Sequence, residues 1–454
     1  MRSKQDGNNK AFNSSIMIFN TVKALKAVVL AAGEGQRLRP LTFTRPKHMI
    51  PVGGKPLLEH HLEALKDCGI EEVLLVVGYK SDYIKKYFED GSRLGMKIEY
   101  LHQKKIMGTA DAFKLAEDHV DGDFLATYGD LLVSSRIVKS TLNMHSRENP
   151  AATLTTVEVN NPERYGVVEL NGNNVVGIIE KPDPGTVRSR QINAGIYVFS
   201  PEIFKAIKQT GISQRGEREI TDSIKILIKS GEKVIATRAP SEEWLDIGRP
   251  WDLLEANMRV LNKLESSIAG TIEDGVHVEG IVYVGKEAII CSGTYIKGPV
   301  YVGEESSIGP NSCIKPYSSI GRRVNIDSGV EVKNSILMNG VRVGHGSYIS
   351  DSIIGEGCDL GVGTIIANRR LDEKTVKMRI RDKTIDTDLR KMGIVVGDRV
   401  KTDVGVLFMP GVKVGYSSWI GSNVVVYRDV PPNMSIILKQ EIQQVSFRIE
   451  DGER

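Results

Sequence analysis

Apolar positions in the first half of the chain follow two alternating patterns. Short, mainly apolar runs at Ala27 to Ala32, Val73 to Val77, Ile98 to Leu101 and Phe124 to Tyr128 read as strands. Between them apolar residues recur at steps of three and four, as from Leu57 to Leu65, which predicts amphipathic helices. This alternation, from Ala27 to about Gly248, predicts an open, largely parallel sheet with helices on both faces. Such sheets bind ligands beyond the carboxyl ends of their strands, and Gly33, Gly78 and Asp130 fall just after strand-like runs.

Further along, the pattern changes twice. Leu253, Leu254, Met258, Leu261, Leu264 and Ile268 make a helical stripe, which predicts a helical linker over 251–275. Beyond it the period is six: Val284, Ile290, Ile296, Val302, Ile308, Ile314, Ile320, Ile326 and Val332 fall on successive sixth residues. The register slips by one to Leu337, Val343 and Ile349, and again to Ile354, Leu360 and Ile366. It resumes at Val396, Thr402, Phe408, Val414, Ile420 and Val426. Neither a helix nor strand alternation gives this step. It marks a parallel β-helix over 276–433, whose narrow coils bury their ladder by stacking on one another. The charged segment from Arg369 to Lys391 interrupts the ladder, and an insertion from a rigid coil suits a substrate loop. Residues 1–25 are expected to be a polar, mobile extension, and 434–454 a tail. Residues 26–250 form the first domain.

Composition narrows the function classes. With 454 residues the chain can bury sizeable cores. Its net charge of +3 and 6% aromatics provide neither a basic field nor stacking platforms for nucleic acid. Cys68, Cys291, Cys313 and Cys358 are far apart, which fits reduced thiols in a cytoplasm rather than zinc ligands. No apolar run is long enough to span a bilayer.

Candidate chemistry begins where the first strand meets Gly33 and Gly35. Glycines there let backbone N–H groups approach a phosphate. Arg37, Arg39, Arg45 and Lys47 follow, and clustered cations beside such a nest suit a polyphosphate. Taken alone, the glycines are an ordinary strand-to-helix turn, and Asp130 or Asp246 a turn former or helix cap. Gln103 ends a strand, and its carboxamide can both donate to and accept from the imide edge of a pyrimidine.

The longer string Gly33-x-Gly35-x-Arg37-Leu38, Pro40-Leu41-Thr42, Pro46-Lys47 and Gly54-Lys55-Pro56-Leu57 resembles the signature of the sugar-1-phosphate nucleotidylyltransferases. The resemblance implies a Rossmann-like α/β domain in which Leu30, Gly33, Gly35, Gly108 and Thr109 hold the nucleotide. Gln103 would read uracil or thymine, so UTP or dTTP is the expected triphosphate. Arg37 would grip the triphosphate and Lys47 neutralise the reacting phosphates. Asp130 and Asp246 would hold Mg2+. Gly166, Glu180, Lys181 and Asn193, in Tyr165-Gly166, Glu180-Lys181-Pro182 and Asn193-Ala194-Gly195, would bind the sugar-1-phosphate.

The repeats resemble those of hexapeptide-repeat acyltransferases, which implies a left-handed parallel β-helix. His345-x-x-Tyr348, Asn368, Lys374 and Lys377 resemble the site of the members that N-acetylate glucosamine-1-phosphate with acetyl-CoA. There His345 would be the base, and Tyr348, Asn368, Lys374 and Lys377 would bind substrate. That family assembles as trimers, here a homotrimer or dimer of trimers. Val282, Val300, Val324, Val400 and Val412, outside the main ladder, are compatible with faces covered by other copies.

Together the two halves resemble archaeal-type bifunctional sugar-1-phosphate nucleotidylyltransferase/amino-sugar-1-phosphate acetyltransferases. The alternatives are a single-function glucose-1-phosphate thymidylyl- or uridylyltransferase whose coil only oligomerises, and a non-catalytic assembly subunit.

Overall fold

A computed structural model describes residues 25–446, so all but Leu25 of the expected extension and the end of the expected tail lie outside the described residues. The first four long strands are β1 (Ala27–Ala31), β2 (Glu72–Val77), β3 (Lys97–His102) and β4 (Phe124–Tyr128). They run parallel in the order β3-β2-β1-β4. Side chains alternate between the faces of a strand. Val28, Leu74 and Val76 therefore enter one core, while Val29, Val73 and Leu75 enter another beneath helix α1 (Leu57–Lys66).

The second half of this sheet differs from expectation. Strands β5 (Ala152–Glu158), β6 (Gly166–Asn171), β7 (Asn174–Glu180), β8 (Gln191–Phe199) and β9 (Val234–Ala239) complete nine strands. Here β8 is antiparallel to both β4 and β5, and β7 to β6 and β9. Only β9 with β5 is parallel. The reason is local. No α-helix separates β5, β6, β7 and β8, so these strands lack the helical crossovers that parallel pairing needs.

The period-six region forms three long sheets of eight, nine and eight parallel strands. Val282 pairs with Val300 and Val300 with Ser318, so each coil advances eighteen residues, three hexapeptides. Where the sequence slips, Ile320 pairs with Leu337 and Leu337 with Ile354, one residue short. Ile354 then pairs with Val396 across the insertion. Every ladder residue from Val284 to Val332 is buried.

Two expectations fail here. The helix spans Pro250–Leu261 and stops; Ile268 is already a strand residue paired with Val284. Val282, Val300, Val324, Val400 and Val412 are buried in the coil's own core. Val282 precedes Val284 by two, and in a strand that places both on the inner face.

The two halves share a core. Leu38, Leu41 and Ile50, around the glycine loop, cluster with Ile336, Ile353, Met378, Ile380 and Met392 of the coil and its insertion. The insertion folds as a hairpin, Lys377–Ile380 against Lys383–Asp386. Burial is worth about 1.5–3 kcal/mol per large aliphatic side chain, so this contact is a structural joint rather than a loose tether.

Candidate functional site

At the carboxyl edge of β1 and β4 lies a cavity of about 300 Å3. It is lined by Leu30, Gly33, Arg37, Lys47, Gln103, Gly108, Thr109, Asp130, Gly166, Glu180, Lys181, Asn193 and Asp246. Of the residues expected in the nucleotide and sugar-phosphate sites, Gly35 alone is missing from that lining. Its role is steric: with φ of 71°, a Cβ there would lie 2.8 Å from the Lys47 Cβ. Gly35 thus lets the Lys47 stem pass.

The candidate cation cluster splits. Arg37 and Lys47 face the cavity, whereas Arg39 turns back to pair with Glu34. Arg45 points into the coil, where its Nη2 lies 2.6 Å from Asp398 and 2.9 Å from Glu356. Nearness in sequence did not fix the direction of these side chains.

Asp130 and Asp246 meet through a short antiparallel ribbon. Leu131–Val133 pairs with Trp244–Asp246, placing Asp246 opposite Leu131, and the Ile247 N–H donates to the Asp130 carbonyl at 3.2 Å. Burial alone would raise the Asp130 carboxyl, but the ammonium of Lys47, hydrogen-bonded to it, helps hold it below the ordinary value. Asp246 is pushed up, first by burial and then by the charge of Asp130. A buried and a half-buried carboxylate with incomplete compensation favour an added cation.

The base-reading end is built around Gly108. Its φ is 118°, and a Cβ would meet the Arg218 carbonyl oxygen at 2.2 Å. The Ala110 N–H donates to that same carbonyl, and Thr109 Oγ1 accepts from the Ile220 N–H at 2.9 Å. Gln103 is buried, with its carboxamide nitrogen 3.4 Å from the Gly108 carbonyl. That long contact leaves its hydrogen-bonding capacity largely free for a ligand.

At the sugar end, the register of β8 shifts between Asn193 and Tyr197, which turns Asn193 toward the cavity. Tyr197 accepts from its Nδ2 at 2.6 Å. Glu180 accepts from Thr221 Oγ1 at 3.3 Å and lies 3.5 Å from Arg215. Burial, then Arg215, pulls the Lys181 ammonium below its usual value against the opposing pull of Glu180. Arg164 and His48 also line the cavity, although no motif singles them out. Arg164 lies just before Tyr165-Gly166, the signal that could have found it.

The second candidate site is not closed within one chain. His345 is exposed on the turn between Arg342–Val343 and Tyr348–Ser350, with Nδ1 3.8 Å from Asp327. Asn368 follows Ile365–Ile366, and its Nδ2 donates to Asp351 at 2.6 Å and Ser350 at 3.1 Å. The sheets alternate along the chain, so these turns lie on different edges of the coil. Lys374 and Lys377 line an open depression of about 420 Å3 with Arg370 and Arg390; His345, Tyr348 and Asn368 are not in its lining.

A model of the nucleotidyl transferase family matches residues 26–263, and one of the GMPPB C-terminal domain matches 296–408. With the cavity at the sheet edge, the first match defines a nucleotidyl transferase. The chain is 44% identical over 419 residues to the bifunctional protein GlmU of Methanocaldococcus jannaschii, covering 92% of this chain and 98% of that protein. It is 41% identical over 410 residues to the bifunctional sugar-1-phosphate nucleotidylyltransferase/acetyltransferase of Sulfurisphaera tokodaii, covering 89% and 98%. With the low-salt glycan biosynthesis nucleotidyltransferase Agl11 of Haloferax volcanii it shares 39% identity over 340 residues, covering 74% and 94%. The chain belongs to the GlmU-type family of bifunctional sugar-1-phosphate nucleotidylyltransferase/acetyltransferases.

Proposed function

We propose that the chain makes UDP-N-acetylglucosamine in two steps at two sites. The coil domain N-acetylates glucosamine-1-phosphate with acetyl-CoA. The α/β domain then transfers a uridylyl group from UTP to N-acetylglucosamine-1-phosphate and releases pyrophosphate. The observation that carries the reading is one cavity in which Arg37, Lys47 and Lys181 face paired carboxylates beside a buried, available carboxamide. Incubating the chain with UTP, magnesium and N-acetylglucosamine-1-phosphate should release pyrophosphate; a non-catalytic assembly subunit would release none.

Uridylyl transfer needs no base, because the attacking sugar-phosphate oxygen is already ionised. It displaces pyrophosphate from the α-phosphorus in line, so catalysis is positioning and charge neutralisation. Lys181 and Arg164 orient the sugar phosphate, Glu180 and Asn193 hold the sugar, Arg37 grips the triphosphate, and Lys47 neutralises charge at the reacting phosphates. Asp130 and Asp246 would hold Mg2+. Two carboxylates on the cavity wall suit a hard cation that takes the rest of its shell from phosphates and water. Bound there, the ion would neutralise phosphate charge.

In the coil domain, the sugar amine attacks the thioester carbonyl, and the CoA thiolate leaves. His345 accepts the amine proton, a task imidazole suits near neutral pH. Lys374, Lys377 and Tyr348 hold the sugar phosphate and ring, and Asn368 is a further substrate-binding residue. The protein acts as a homotrimer or dimer of trimers in the cytoplasm. A neighbouring copy would bring the separated edges of the coil together, and Leu407, Trp419 and Tyr427 remain exposed on its surface. Light scattering at micromolar concentration should give a trimer mass or a multiple of it, and a monomer mass contradicts the assembly. The four free thiols fit a reducing compartment.

Base recognition has its own test. Gln103→Ala removes hydrogen bonds worth about 1–3 kcal/mol and should raise the apparent KM for UTP and dTTP together, by roughly five- to 150-fold. Loss of only one of the two, or a preference of the parent protein for ATP, overturns the pyrimidine reading.

A further inference from the structure

The loop that carries Lys47 is held from outside its own domain. Asp398 lies in the coil and is almost fully buried, at 4% exposure. Its Oδ2 accepts from Thr44 Oγ1 at 2.6 Å and from Arg45 Nη2 at 2.6 Å. Its Oδ1 accepts from the Glu356 N–H at 2.8 Å, so the carboxylate is fixed to the coil as well as to the loop. Glu356 adds a second contact to Arg45 at 2.9 Å. Beside this pair, Phe43 meets Tyr416 edge-on, with ring centroids 5.6 Å apart.

Only Pro46 separates Arg45 from Lys47. Its φ of −69° is fixed by the ring, so the backbone direction leaving Arg45 is transmitted to Lys47 with little freedom. Lys47 then crosses Gly35 and reaches Asp130. The chain from Asp398 to the cavity is thus short, buried and stiff. The ion pair is local, directional and desolvated, unlike an exposed surface pair.

We propose that Asp398 is a positioning residue for uridylyl transfer, acting from the β-helix through Thr44 and Arg45 to aim Lys47 at the reacting phosphates. The coil domain is then part of the nucleotidyl-transfer machinery as well as the seat of acetyl transfer. The proposal rests on the reading of Lys47 as a phosphate-neutralising residue.

The test uses the full chain and measures pyrophosphate release, CoA release and thermal melting for Asp398→Asn, Thr44→Val, Lys47→Ala and the Asp398→Asn/Lys47→Ala double variant. Misplacement of a catalytic cation costs rate rather than ground-state binding. Asp398→Asn should therefore lose roughly tenfold or more in kcat for pyrophosphate release, well below its melting temperature, with a smaller change in KM. CoA release should stay at the parent rate. In the Lys47→Ala background the same substitution should cost less than about twofold, because the group it positions is gone. Should Asp398→Asn fail to fold, Thr44→Val, which removes one hydrogen bond and keeps the shape, should still lower kcat by a few fold. Parent-like kcat in whichever of these two folds overturns the proposal. So does a full Asp398→Asn loss that persists without Lys47, which would show action by another route. Parent-like activity of Lys47→Ala would instead remove the reading of Lys47, and the proposal with it.

Discussion

Asp130→Asn should lower pyrophosphate release by on the order of 10²-fold or more while acetyl transfer continues at the parent rate. The substitution keeps the shape of the side chain and removes its charge. Asp130 is buried at the strand end against the Lys47 ammonium, which helps hold its carboxyl below the ordinary value, and a hard cation needs such a charged oxygen. Asn also leaves Lys47 without its anionic partner. The like-charge pressure on Asp246 falls, so its carboxyl should titrate closer to its ordinary value. Pyrophosphate release measured over a magnesium series separates the outcomes. A rate that stays low at saturating magnesium agrees with Asp130 as an essential ligand. Parent-like release excludes it.

His345→Ala should abolish CoA release from acetyl-CoA and glucosamine-1-phosphate, a loss of about 10²–10⁴-fold for removal of a general base. Coupling of N-acetylglucosamine-1-phosphate to UTP should be unchanged, because no residue of that turn lines the sheet-edge cavity. The fold should survive. The His345 side chain is 58% exposed and sits between the buried ladder positions Val343 and Ile349, so melting should move little. Lys374→Ala and Lys377→Ala should act mainly on the apparent Michaelis constant for the amino-sugar phosphate. CoA release by His345→Ala at the parent rate would remove histidine from the mechanism.

Local strings made most of the first site legible. Gly33, Arg37, Lys47, Gly108, Asp130, Glu180 and Lys181 sit in motifs whose spacing is set by strand ends and tight turns, and all reach one cavity. The coil ladder was legible for a similar reason, since a fixed step of six leaves little choice of register. What failed was direction. Arg45 precedes Lys47 by two residues, yet its partners Glu356 and Asp398 lie more than three hundred positions away. Nothing local encodes that. The valines outside the ladder are buried because strand alternation returns a residue two positions away to the same inner face, which the six-residue step alone does not encode. The antiparallel half of the sheet was missed because strands were expected to alternate with helices through a stretch that has none. The separation of His345 from Asn368 follows from the order of the three sheets, a topological fact that motif spacing does not contain.

The central claim, that one chain carries both reactions in sequence, is tested most directly by product analysis. The purified full chain is incubated with glucosamine-1-phosphate, acetyl-CoA, UTP and magnesium, and the mixture is resolved by mass spectrometry. A parallel grid replaces UTP with dTTP and the substrate with galactosamine- or glucose-1-phosphate. The account predicts UDP-N-acetylglucosamine, free CoA and pyrophosphate, with N-acetylglucosamine-1-phosphate accumulating when UTP is left out. Nucleotide-sugar formation from glucose-1-phosphate, with no acetyl-CoA turnover on any amino-sugar phosphate, would contradict it and leave the β-helix as an assembly module.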